Sequence, residues 1–102
     1  MAQNYLVKNN LDSARREIDQ ALLIDPNHPG ANNFKAKLLI IQKYPQKALE
    51  YYNISIDNDP NFIGSLYSRG VLYLDLQMPQ KALSDFNTVQ ETSPHLVYNL
   101  LC

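Results

Sequence analysis

The sequence predicts an all-α protein, a helix–turn–helix repeat solenoid, and two observations lead there. The string "YPQKAL" at residues 44–49 returns as "MPQKAL" at 78–83, five letters unchanged after a step of 34. The same step relates Pro26, Pro60 and Pro94; Ala14, Ala48 and Ala82; and Tyr5, Leu39 and Tyr73. It also relates Ile18, Tyr52 and Phe86, large and apolar, and Ala21, Ser55 and Val89, small or medium. Agreement of this kind in one phase marks an array of a single structural unit.

The elements follow in order. Counting back 34 from Pro29 places the start of the first unit before Met1, so residues 1–28 read as an N-terminally truncated repeat. "MAQNYLVKN" is then the end of its first helix, and Ala14, Ile18 and Ala21 belong to its second. The unit 29–62 opens with Pro29, suited to a first helical turn, and "PGANNFKAKLLIIQK" runs without a breaker to Lys43. Pro45 ends that helix and starts the next, "PQKALEYYNISID", whose Ala48, Leu49, Tyr52 and Ile56 fall on one face. "NDPN" at 58–61 closes the unit with turn chemistry. The unit 63–96 repeats the reading with "FIGSLYSRGVLYLDLQ", "PQKALSDFNTVQET" and Pro94, and residues 97–102 begin a further or capping helix. Ala36, Gly70, Ala48 and Ala82 are small where two helices must approach closely.

Composition bounds the function. A chain of 102 residues with 45% hydrophobic and 19% charged residues is one small domain. Nine basic and ten acidic residues, net charge −1, give no electrostatic reason to expect nucleic acid or an anionic membrane as partner. Cys102 is the single cysteine, so no internal disulfide forms. The N-terminus lacks the apolar core of a signal peptide, and the longest apolar run, "LLII" at 38–41, is too short to cross a bilayer. A cytoplasmic setting is expected.

These residues resemble the tetratricopeptide repeat, a family of helix–turn–helix units that stack into a right-handed α-α superhelix. Gly70, Tyr73, Ala82, Phe86 and Pro94 match its signature types in one unit, and Ala36, Leu39, Ala48, Tyr52 and Pro60 in the other. Ser55 stands where alanine is usual, and the tryptophan and leucine places of the first helices hold Asn32 and Lys35, then Leu66 and Arg69. Those polar residues are expected to weaken packing in the middle unit. Stacked repeats normally carry polar caps. Neither end shows one, so either the chain is a piece of a longer protein or its ends are covered by another chain.

No motif for chemistry emerges. His28 and His95 lie in turns 67 residues apart, where histidines are mostly solvated. "DNDP" at 57–60 lacks the glycine and distal glutamate of a calcium loop and reads as helix termination. No histidine stands near Cys102 in a motif, and "NIS" at 53–55 falls inside a predicted helix. Arg69 and Asp85 read as a structural hydrogen-bonded pair. No catalytic residue, metal ligand or cofactor is assigned, and enzymatic activity has no support.

The resemblance implies a concave groove lined by first helices. From this chain it takes Asn33, Phe34, Lys37, Ile40 and Ile41, then Tyr67, Ser68, Val71, Leu74 and Asp75. Gln3, Leu6, Val7, Tyr98 and Cys102 would continue it. A subset of the family grips acidic chaperone tails through a lysine–asparagine–arginine clamp; its places here hold Phe34, Gly64 and Ser68, so that binding is not expected. The expectation is a non-catalytic scaffold holding an apolar helix or peptide segment of a protein partner. The alternative is a self-assembling module that forms a homodimer through its groove or through exposed ends such as the face of Leu11 and Ile18. An RNA-binding repeat would need regularly spaced basic groove residues, which Lys37 alone does not supply.

Overall fold

The twinned hexapeptide is where one helix stops and the next begins. The computed structural model describes residues 2–92, with side chains described from Asp12 onward. Five helices follow one another: α1 (Ala2–Ile24), α2 (Pro29–Ile41), α3 (Pro45–Asn58), α4 (Ile63–Asp75) and α5 (Pro79–Thr92). Among the described residues there is no strand, and the architecture is an all-α helical repeat solenoid.

Helix ends recur with the repeat. After α2, Lys43 takes a left-handed backbone with φ 69°, and after α4 Gln77 does so with φ 60°. The amide of Tyr44 then donates to the Leu39 carbonyl at 2.8 Å and that of Lys43 to Ile40 at 3.0 Å. Met78 to Tyr73, 2.7 Å, and Gln77 to Leu74, 3.1 Å, repeat the pair. This double closure satisfies carbonyls that a helix end leaves without partners. It also ends α2 at Ile41, before the expected Lys43. Pro45 and Pro79 follow as first helical residues, where a missing N–H costs nothing. At the longer turns the Asp25 carboxylate accepts from the Asn27 amide at 3.2 Å and Asp59 from Asn61 at 3.3 Å. "DNDP" is thus a helix end, as expected.

The repeat phase predicts a separate first helix that closes within residues 1–9. The structure corrects this: α1 runs unbroken from Ala2 to Ile24. The stretch "KNNLDS" between the two expected helices holds neither proline nor glycine, whereas the other helix pairs meet at Pro45 and Pro79. His95, Tyr98 and Cys102, and residues 97–102 as a whole, lie outside the described residues, as do the side chains of Gln3, Leu6, Val7 and Leu11.

Two apolar clusters hold the helices. Ala36, Leu39, Ala48, Tyr52 and Leu72 join α2, α3 and α4, with Leu49, Tyr51 and Leu76 packed around them. Ile56, Leu66 and Val89, with Ile63, join α3, α4 and α5. Ala36, Ala48 and Ala82 are 0, 0 and 1% exposed, which agrees with the small-residue crossings. A leucine at any of them would cost about 1–3 kcal/mol through overpacking.

The polar residues at the signature's apolar places do not simply weaken packing. Buried Asn32 donates through Nδ2 to the carbonyls of Pro26, 3.0 Å, and His28, 2.9 Å, tying α2 to the preceding turn. Lys35 Nζ meets Asp19 Oδ1 on α1 at 2.9 Å. Thirty-four residues on, Arg69 Nη1 donates to Asn53 Oδ1 at 2.8 Å, the same contact one unit later. Arg69 also forks onto buried Asp85, Nε to Oδ2 at 2.8 Å and Nη2 to Oδ1 at 2.7 Å. Hydrogen bonding to Asp85 raises the Arg69 pKa further above its ordinary value, so the charge persists although the side chain is largely covered. The pair is structural, as expected.

Candidate functional site

The apolar surface left over after the core is built lies on the first helices. In α4, Leu66, Leu72 and Tyr73 are buried, while Tyr67, Val71 and Leu74 are 41, 39 and 50% exposed. A helix apolar on two faces has one to spare for a second contact. Ile40 of α2, 38% exposed, meets that spare face. Ile40, Tyr67, Ser68, Val71 and Asp75 line an open pocket of about 220 Å³, with Tyr52 and Leu72 at its base.

Five of the ten expected groove residues therefore come together. The other five do not line this pocket. Asn33 is buried, 5% exposed, and its Oδ1 accepts from Ser65 Oγ at 2.9 Å, so its place in an open groove is corrected. Ser65 Oγ in turn lies 2.7 Å from Ser55 Oγ, whose single proton is shared between Ser65 Oγ and the Pro29 carbonyl at 2.8 Å. Asn33 is needed inside, to end this buried chain of polar groups between α2, α3 and α4. Phe34 is exposed but faces a different opening, between α1 and α2. Lys37 Nζ stands 5.9 Å over its ring. Ile41 and Leu74 are exposed, 57 and 50%, away from the pocket lining.

Tyr52 and Leu72 are the lining residues that the sequence pattern assigns to the core alone. Both are core residues, 2 and 3% exposed, and both reach the pocket base. The available signal was Ser68, a small polar residue of α4 that lines the same pocket as Tyr52. Burial raises the Tyr52 pKa above its ordinary value, and the Ser68 hydroxyl beside it pulls the other way. Tyr52 thus presents a neutral phenol at neutral pH. Asp75 is the one charged residue among those lining the pocket. Such a surface offers apolar contact, a hydroxyl pair and a carboxylate at the edge.

Among the described residues no group of three or more His, Cys, Asp or Glu is placed to hold a metal ion. His28 serves its own helix, since its Nδ1 accepts from the Ala31 amide at 3.1 Å and caps α2. No helix among the described residues is long and apolar enough to cross a membrane.

No protein-family model matches the chain, and no curated protein sequence matches it. Solved structures do. The chain is similar to a tetratricopeptide repeat protein from Parabacteroides merdae ATCC 43184, with TM-score 0.77 and 28% identity over 85% of this chain. It spans 34% of that longer protein. It is also similar in fold to the first TPR of Spaghetti (RPAP3), solved bound to the HSP90 peptide SRMEEVD. There the TM-score is 0.76 and the identity 21%, covering 90% of this chain and 73% of the other.

Proposed function

With the tetratricopeptide-repeat fold as its premise, we propose that the chain is a non-catalytic protein-interaction scaffold, acting in the cytoplasm, that holds an apolar helix or peptide segment in the pocket between α2 and α4. Its units on this reading are 29–62 and 63–96, after an incomplete 1–28. The observation that carries it is the convergence of exposed Ile40, Tyr67 and Val71 on one opening. The Spaghetti domain, solved with a peptide bound, supports the class of partner. The acidic character of that peptide does not transfer: the clamp places here hold Phe34, Gly64 and Ser68, and Asp75 repels a carboxylate.

Peptides selected from a display library on this protein test the reading. They should be apolar, and their affinity should change little with salt, since one charge lines the pocket. Val71→Asp should abolish their binding while the helical signal and melting temperature hold, because Val71 is 39% exposed. Peptides that bind Val71→Asp as well as the native protein would place the site elsewhere.

A second reading, homodimerisation, is favoured by one observation. Leu23 and Ile24 at the end of α1 stand 80 and 79% exposed. Large apolar side chains so exposed and adjacent suit an interface.

A further inference from the structure

Asp75 stands where its own helix gives it no support. It is the last residue of α4, and the C-terminal end of a helix carries partial negative charge that favours cations. Thirty-four residues earlier the same place holds Ile41, so the carboxylate is not a demand of the repeat. Neither α2 nor α4 has a basic residue in its last turn. Ile40, from the last turn of α2, lines the same pocket as Asp75, so two helix C-termini and one carboxylate meet there. Among the described residues the ion pairs are Arg15 with Asp12, Lys35 with Asp19 and Arg69 with Asp85, and none includes Asp75. Lys37, Lys47 and Lys81 stand over the rings of Phe34, Tyr44 and Tyr73 instead. A residue that works against its helix and is paired with none of these cations suits a contact outside the fold.

We infer that the pocket between α2 and α4 takes a protein segment with one lysine or arginine beside an apolar anchor, and that Asp75 receives its cationic end; this rests on the scaffold reading above and names the partner's chemistry. Ser68, Val71 and Asp75 follow one another at steps of three and four along α4, one face over two turns, about 10 Å. The order along that face is hydroxyl, methyl groups, carboxylate. Ile40 flanks it from α2, and Tyr52 and Leu72 form the base. The apolar anchor sits on Val71 and Ile40. A lysine or arginine next to it lays its methylene stem along the same apolar wall and brings its charge to exposed Asp75. Val71 and Asp75 lie about 6 Å apart along the helix axis. The basic residue therefore falls three or four positions from the anchor in a helical segment, or two in an extended one. An acidic residue in its place would meet the carboxylate and two helix C-termini, so the pocket selects against it. A single ion pair at an exposed carboxylate keeps the salt dependence small.

Peptides selected on this protein from the display library provide the test. They should share a lysine or arginine at one fixed distance from an apolar residue. Replacing that basic residue by norleucine, which keeps an apolar stem and removes the charge, should weaken binding to the native protein about fivefold in a fluorescence-anisotropy titration. Asp75→Asn should weaken the parent peptide by the same factor and bind both peptides equally, so that the two changes together cost no more than either alone. Asp75→Asn should also melt no lower than the native chain, because it removes a charge that the end of α4 disfavours. Peptides without a shared basic residue overturn the inference. So does an Asp75→Asn protein that still distinguishes the two peptides, or one that melts lower than the native chain. Val71→Asp separates this inference from the reading beneath it. Peptides that lose binding to Val71→Asp but ignore Asp75→Asn overturn the role of Asp75 and leave the scaffold reading standing. Peptides that ignore Val71→Asp remove the pocket, and both readings with it.

Discussion

The ring of Phe86 lies directly on the backbone of Gly70. A Cβ added to Gly70 would sit 2.6 Å from Cε1 of that ring and 2.9 Å from Cζ. Tyr67, one turn before Gly70 on α4, packs against the same ring, centroid to centroid 5.7 Å at 54°. One unit earlier the same two places hold Ala36 and Tyr52, both buried. The crossing therefore carries a methyl in one unit and excludes it in the other.

Gly70→Ala sets two effects against each other. Alanine is better than glycine inside a helix by about 1 kcal/mol. Displacing the ring costs about 1–3 kcal/mol. The expected result is a net loss, read as a lower urea midpoint. Adding Phe86→Leu should recover part of it. A Gly70→Ala protein more stable than the native one would show that the ring yields freely.

The left-handed caps leave room for improvement. Lys43 and Gln77 hold φ 69° and 60°, which non-glycine residues adopt at a cost of about 1 kcal/mol. Both side chains lie toward solvent, so little is lost by removing them. Gln77→Gly is expected to stabilise the protein by up to about 1 kcal/mol, and Lys43→Gly comparably. Urea unfolding checks both; a loss of stability at both sites would mean that these side chains make contacts of more value than the strain.

Tyr52 makes stability depend on alkaline pH. Its folded pKa is raised above 10.0, chiefly by burial, so the folded state keeps the phenol proton where the unfolded chain loses it. The stabilisation is full below the unfolded pKa near 10 and is lost as pH rises through the folded one. Tyr52→Phe removes this dependence. Melting temperatures measured between about pH 8 and pH 11 should fall more steeply for the native protein than for the variant. Parallel curves would exclude Tyr52 as the cause.

The class of this protein, its helices, their junctions and the small residues at their crossings were legible in the order of the amino acids, because they depend on local rules. Proline starts a helix wherever it stands before a helical run, and Ala48 and Ala82 recur because two backbones must approach at the same point of each unit. The break expected near residue 9 failed for the same local reason, since no proline marks it. The composition of the site was set by helix packing instead. Phe34 and Ile40 lie on one helix, yet they face different openings, because the neighbour of Phe34 is α1 and that of Ile40 is α4. Asn33 looks like a groove residue until Ser65 and Ser55, brought from two other helices, draw it into a buried hydrogen-bonded chain. Tyr52 is a core residue of α3, yet it lines the pocket together with Ile40 of α2 and Ser68 of α4. Exposure of a side chain is set by the size and polarity of whatever crosses it from another helix. That is a property of pairs distant in sequence, and the repeat period shows only that such pairs exist.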